Sequence, residues 1–391
     1  MILTAIFQAS LCAASGRADV AATGVQRLDG SRISTAWIDH RMESLMQAGH
    51  VTGVAIGIVN DGRVVYVRAY GMRNVAAEEP LKTDTIMYAA SFTKAAFAYM
   101  VMELVDEGRL DLDKPVYEYL KKPLPDYSKY ADLKDDPRYR LITARMLLAH
   151  TSGLPNWRFI NPDGKLDIKF SPGTRYSYSG EGINLLQFVL EQGLGFDVDR
   201  LMRERIFVPF DMTRSSMTWQ PRFAANVALG YDEEGASLGH RHRTDARAAG
   251  SMDTTITDYT SFVTGTLAGK GMSAARWREM LSPQILIDSV HQFPTPSSQT
   301  TGANRTIALS YGLGWGLFTS PYGPAYFKEG HDDGTENYAV AFPRSKTALV
   351  VMTNSSNGES IFKYLLADLI GDTYTPWFWE SYFPYDYTGP R

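Results

Sequence analysis

The sequence contains a single cysteine, Cys12, so neither an intrachain disulfide framework nor a multi-cysteine zinc site can form. It also lacks any excess of positive charge. Lys and Arg number 39 against 43 Asp and Glu, a net charge of −4, which argues against a general nucleic-acid binder, because neutralising phosphates takes clustered excess Lys/Arg. No apolar run reaches the ~20 residues needed to cross a bilayer, so no integral membrane segment is expected. The most apolar stretch, Ile2 to Ala14, is broken only by Thr4, Gln8 and Ser10 and is followed by the small residues Ser15 and Gly16. Residues 1–20 thus read as a secretory signal peptide without the usual leading positive charge, which predicts a periplasmic or secreted protein that loses Cys12 on export; without cleavage the protein would be cytoplasmic. Histidines are few and poorly placed for metal: His240 and His242 are flanked by arginines, and no zinc-protease spacing occurs. No metal and no cofactor are expected.

What the chain does have is length and hydrophobicity: 391 residues, 44% of them hydrophobic, enough for a large core. Ser34 to Ala48 has helical apolar spacing. Val54–Val59 and Val64–Val67 flank Asn60-Asp61-Gly62, a strong hairpin signal. Hairpin patterns recur near the C-terminus, with Gly312–Phe318 facing Ala325–Lys328 and Tyr338–Phe342 facing Thr347–Met352. Hairpins make antiparallel sheet. Residues 91–304 carry few strand signals and several helical ones, above all Ala95 to Glu107, Ile183 to Glu191 and Asp258 to Ala268. The expected fold is α+β: an antiparallel sheet flanked by helices, built from residues 34–90 and 305–371, with a mostly helical domain (91–304) inserted. Residues 372–391 form an aromatic tail expected to pack over a groove or a subunit contact.

The sharpest chemical signal is Ser91-Phe92-Thr93-Lys94 at the start of the Ala95–Glu107 helix. Three residues make about one turn, so a hydroxyl nucleophile and an amine base share one face. Helix N-capping would explain Ser91 but not Lys94, which meets the positive end of the helix dipole. A competing nucleophile motif, Gly235-Ala236-Ser237-Leu238-Gly239, matches Gly-x-Ser-x-Gly, but it follows Asp232-Glu233-Glu234 and precedes His240-Arg241-His242-Arg243. It lacks the strand and helix such an elbow requires and reads as a surface turn.

Four segments, in order, resemble one family: Met87 to Lys94, Leu104 to Leu112, Leu148-Ala149-His150-Thr151-Ser152-Gly153-Leu154-Pro155, and Pro172 to Gly180. Together they resemble the serine β-lactamase and penicillin-binding-protein superfamily, in its class C-like branch, over about residues 35–370. That resemblance implies the β-lactamase/transpeptidase-like fold, with Ser91 as acylated nucleophile, Lys94 as proton acceptor and Tyr178 as the tyrosine serving the leaving group. Either Lys94 or Tyr178 could be the base, since both ordinary pKa values lie near 10. It implies an oxyanion hole from the N–H groups of Ser91 and Gly334, and it aligns His331-Asp332-Asp333 with the family's third motif.

Two departures bear on substrate. Gly180 stands where the family usually has an Asn that holds the substrate amide, and Asp332 and Asp333 stand where a hydroxyl and a glycine normally help bind a carboxylate. Like charge opposes an anion there, with His331 able to offset it in part when protonated. The expectation is a serine hydrolase, a carboxylesterase or small-amide hydrolase, acting on neutral or amine-bearing small molecules. A β-lactamase or D-peptidase is the alternative enzyme. The alternative without turnover is an acylatable sensor of cell-wall fragments.

Overall fold

The computed structural model describes residues 24–389; the expected signal peptide, with Cys12, lies outside the described residues. At Asp61-Gly62 both residues adopt positive φ (50° and 72°), the backbone that a two-residue hairpin needs to match strand twist. This turn joins β1 (Gly53–Asn60) to β2 (Arg63–Asn74), and β3 (Glu79–Pro80) follows at the edge. Far along the chain come β4 (Ile285–Leu286), β5 (Ser310–Tyr311), β6 (Gly316–Ser320), β7 (Gly323–Asp332), β8 (Thr335–Phe342) and β9 (Thr347–Thr353). The nine form one antiparallel sheet in the order β4-β5-β6-β7-β8-β9-β1-β2-β3. The two chain ends meet where β9 pairs with β1, Ala348 opposite Val59. Every residue of β1, β8 and β9 is buried. Layers cover both faces of these central strands, and Val54–Val59 accordingly reads as nearly continuous apolar sequence rather than as an alternation.

Helix α1 (Thr35–Gly49), capped by the Ser34 hydroxyl on Trp37 N–H at 3.2 Å, covers one face. On the other lie α2 (Phe92–Asp106) and α4 (Ile256–Leu267), with α3 (Gly180–Gln192) beyond. From Phe92 to Val105, α2 is buried on all sides, so its sequence carries no amphipathic stripe. Helix α4 lies hard on the sheet: a Cβ at Gly57 would sit 2.0 Å from Thr260 Oγ1. One apolar cluster runs from Ala55, Val59 and Val350 of the sheet to Leu104 and Leu186 of the helices. The sheet also begins earlier in the chain than the pattern suggests, because the two-residue strand β4 at 285–286 is too short to leave a periodic signal.

The aromatic tail packs on the α1 side of the sheet. Trp379 and Tyr382 are buried, Trp379 Nε1 donates to Ser289 Oγ at 3.0 Å, and the Trp379 ring meets Phe327 and Tyr176. Trp379 and Tyr382 are thus core rather than surface, while Phe378 and Tyr385 stay exposed. Among the described residues no helix is long and apolar enough to cross a membrane.

Candidate active site

Ala90, in left-handed backbone (φ 46°), turns the chain into α2. Ser91 makes no capping hydrogen bond with its side chain; its Oγ lies 2.8 Å from Lys94 Nζ. Lys94 is 1% exposed, and among the described residues its amine makes one other hydrogen bond, to the Ala249 carbonyl at 2.5 Å. No carboxylate touches it among the described residues. Burial first, and then the charge of Lys328, push Lys94 well below the ordinary lysine range, which favours the neutral amine. A neutral amine at 2.8 Å can accept the serine proton. The N–H groups of Phe92 and Thr93 are held by Ala89 and Ala90 carbonyls at 3.0 and 3.1 Å, and that of Ser91 makes no hydrogen bond among the described residues.

The Pro172–Gly180 segment brings Tyr178 to the same point. Its ring packs on buried His150, centroids 4.4 Å apart, and the His150 Nδ1 accepts the Ser179 N–H at 3.2 Å. His150 thereby fixes the tyrosine's backbone; burial pushes it well below the usual histidine range, so it packs as a neutral ring. Burial and the negative charge of Glu329 push the Tyr178 phenol well up, while a hydrogen bond with Ser91 draws it back. Tyr176 is not at the nucleophile: it packs on Tyr311 and Trp379 and accepts from Gln292 Nε2 at 3.3 Å.

Strand β7 differs from the expected alignment. The side chain it sends to Tyr178 is not that of His331 but that of Lys328, three residues earlier: Lys328 Nζ donates to Tyr178 Oη at 3.1 Å and to Glu329 Oε1 at 2.6 Å. Lys328-Glu329-Gly330 keeps the first and last letters of Lys-Thr/Ser-Gly, a signal the sequence held and the His331 alignment passed over. At Gly330 a Cβ would lie 2.8 Å from the Ala89 carbonyl and 3.3 Å from Phe92 N; the glycine lets the strand run against the start of α2. Gly334, expected in the oxyanion hole, sits in the two-residue turn after Asp332, and its N–H donates to Ser356 Oγ at 2.9 Å. His331 offers a better placed donor. Its register partner Glu336 directs both backbone groups to Thr353 Oγ1 (3.2 and 2.9 Å) on the β9 side. The pair is therefore a non-hydrogen-bonded one. The His331 N–H faces the outer edge of β7, where pairing with β6 has ended at Phe327 and α2 begins.

Gly180 is buried and touches no substrate space. A Cβ there would lie 2.5–2.8 Å from the Trp157 ring, so the indole fills the place where the family's Asn side chain would extend. Trp157 lies 5.6 Å from Lys94 Nζ and stacks beside the exposed Phe159. No motif pointed to either aromatic.

Ser91, Trp157, Phe159, His331 and Asp332 line one open cleft of about 480 Å³, whose far wall is the segment Arg241–Arg247. The expectation that the acidic pair makes this mouth repel anions does not hold. Asp332 has Arg243 at 3.8 Å, and Arg241 and Arg247 add two further guanidiniums. Ser237 stands on an exposed two-stranded hairpin and is not among the residues that line this cleft. As to metals, one cluster among the described residues brings ligand atoms within 4.8 Å of one another: His331, Glu336 and Glu359. His331 Nδ1 is already bonded to Glu336, and by strand alternation its ring lies on the face of β7 opposite Lys328.

The Beta-lactamase family model matches residues 38–370, and the chain belongs to that family. It is 26% identical to penicillin-binding protein 4 of Amycolatopsis lactamdurans, over 85% of this chain and 88% of that protein. It is likewise 26% identical to lovastatin esterase of Penicillium rubens, over 76% and 80%. Among solved structures, an octameric penicillin-binding protein homologue from Pyrococcus abyssi superimposes with a TM-score of 0.69 at 24% identity, covering 87% of this chain and 78% of that one. The D-alanine carboxypeptidase AmpC of Burkholderia cenocepacia gives 0.65 at 20% identity, covering 82% and 93%. These chains share the fold, an antiparallel sheet with helices, and the family is one of serine hydrolases.

Proposed function

We propose that the protein is an acyl-transferring hydrolase, a carboxylesterase or small-amide hydrolase, with Ser91 as nucleophile. The observation that carries this is the contact between Ser91 Oγ and a fully buried lysine amine that no carboxylate touches among the described residues and that burial and Lys328 hold well below the ordinary lysine range. Ser91 Oγ attacks the carbonyl carbon as Lys94 Nζ takes its proton. The N–H groups of Ser91 and His331 hold the oxyanion. Tyr178, held by the Lys328 ammonium, then passes its proton to the departing alkoxide or amine and takes the one on Lys94 in its place, and the carbonyl–leaving-group bond breaks. Water attacks the acyl-enzyme, returns its proton through the same groups and releases the acid. The Trp157 wall in place of an amide-holding Asn favours acyl groups bound by apolar contact, and the lovastatin esterase among the relatives fits an ester reading.

The test is turnover of 4-nitrophenyl butyrate together with peptide mapping after fluorophosphonate labelling. Steady hydrolysis lost in Ser91→Ala and kept in Ser237→Ala supports the proposal. Labelling of Ser91 without turnover would turn it to an acylatable sensor, and nitrocefin hydrolysis at a rate matching the ester would turn it to a β-lactamase.

A further inference from the structure

The wall opposite Trp157 is built from His240-Arg241-His242-Arg243-Thr244-Asp245-Ala246-Arg247, a segment outside every motif on which the family resemblance rests. Its histidines anchor it. Buried His240 Nε2 lies 3.2 Å from buried Asp253, and the His242 ring stacks on Trp219 at 3.7 Å. The Trp219 N–H also donates to the Arg243 carbonyl at 2.7 Å. Between these anchors Arg241 and Arg243 line the cleft, and Arg247 follows.

Arg243 is mostly buried, with its guanidinium 3.4 Å above the Tyr88 ring. Of its five donors, one reaches the Arg241 carbonyl at 3.3 Å, and Asp332 stands off at 3.8 Å. Arg241 has no ion-pair partner among the described residues, and Arg247 meets only Asp245, at 4.0 Å, both in open solvent. Three guanidiniums against two carboxylates make this wall positive on a protein whose net charge is −4. One fixed guanidinium, that of Arg243, and two solvent-exposed ones beside a nucleophile match a carboxylate on the substrate, which they can bind by charge-assisted, bidentate hydrogen bonds.

We infer that the cleft selects esters or amides carrying a second, anionic group, a carboxylate held by Arg241, Arg243 and Arg247 while the apolar part lies on Trp157 and Phe159. This rests on the acyl-transfer reading above. The test compares kcat/KM for 4-nitrophenyl hydrogen adipate with that for 4-nitrophenyl hexanoate, which differ in a terminal carboxylate against a methyl group. A leaving-group version, 4-hexanoyloxybenzoate against phenyl hexanoate, tells on which side of the scissile bond the anion sits.

In the wild type the anionic ester of at least one pair is expected to be favoured by roughly tenfold or more, the size of one good charge-assisted contact. The preference should collapse towards one in Arg241→Gln/Arg247→Gln, and in the wild type between low salt and 0.5 M NaCl. Should the double variant not fold, adipate is still expected to inhibit hexanoate-ester hydrolysis competitively and salt-dependently in the wild type. A ratio at or below one in both pairs, or a preference that neither salt nor the substitutions move, overturns the inference while leaving acyl transfer standing. Failure of every ester together with an unlabelled Ser91 would instead remove the underlying reading.

Discussion

Lys94 and Lys328 both approach one phenol: their Nζ atoms lie 5.0 and 4.9 Å from the Tyr178 ring centroid, both buried, yet of the two only Lys328 has a carboxylate partner. This asymmetry divides the labour. Glu329 supports the charge on Lys328 against the burial that lowers it, and that charge in turn helps hold Lys94 neutral.

The pH profile should follow. Lys94 must be neutral to accept a proton, so kcat/KM rises with pH through its folded pKa, which lies below the ordinary value because of burial and then Lys328. Lys328→Met removes the second cause, Lys94 keeps its proton to higher pH, and the acid limb moves upward by about one pH unit. A limb that stays in place or moves down would assign the base elsewhere.

Stability should report the same pair. Breaking a buried ion pair leaves a charge without compensation and costs about 3–5 kcal/mol, whereas removing both charges is often close to neutral. Lys328→Met is therefore expected to lower the unfolding free energy measured in urea melts by an amount in that range, and Lys328→Met/Glu329→Gln to recover more than half of it. A double variant less stable than the single one would refute the coupling.

The sequence made the chemistry near α2 legible because Ser91 and Lys94 are one turn apart on one helix, and local spacing suffices. The central strands were legible for a similar reason: Asp61-Gly62 demands a specific turn, and β1 is buried on both faces. What depended on distant packing was not. Which strand residue reaches Tyr178 is set by where β7 passes α2, and a three-residue shift along a strand changes both the residue and the face. Trp157 belongs to the site only because it lies over Gly180, and Arg241 and Arg243 only because His240 and His242 find Asp253 and Trp219. None of these partners is near in sequence, and the paired aspartates, read alone, suggested the wrong sign of charge for the cleft.

Gly180 and Trp157 should behave as one unit. Adding an Asn side chain at 180 drives Cβ into the indole, at 2.5 Å, and overpacking of this kind costs about 1–3 kcal/mol. Gly180→Asn alone is expected to lose that stability and to weaken aryl-ester binding as the ring is displaced. In Trp157→Ala/Gly180→Asn the space is open, so the combined loss should be smaller than the sum of the single losses. Strict additivity in thermal or urea melts would mean that the ring moves aside without resistance.

Gly330 and Gly334 separate the two placements of the oxyanion donor. At Gly330 an added methyl meets the start of α2, Ala89 O at 2.8 Å and Phe92 N at 3.3 Å, beside Asn337 Nδ2 at 3.3 Å, and the tightest of these contacts is backbone, which cannot swing aside. Gly330→Ala must therefore move β7 away from α2 and carry the His331 N–H away from Ser91. Loss of an oxyanion donor typically lowers kcat by ~10²–10³, and that drop is expected here with little change in KM. At Gly334 the backbone is left-handed (φ 73°) and Gly230 is close, so Gly334→Ala should lower thermal stability through strain in the turn. Its N–H already serves Ser356, so kcat per folded molecule should fall far less than in Gly330→Ala. The reverse order of the two kcat values, measured at matched folded fractions, would return the donor to Gly334.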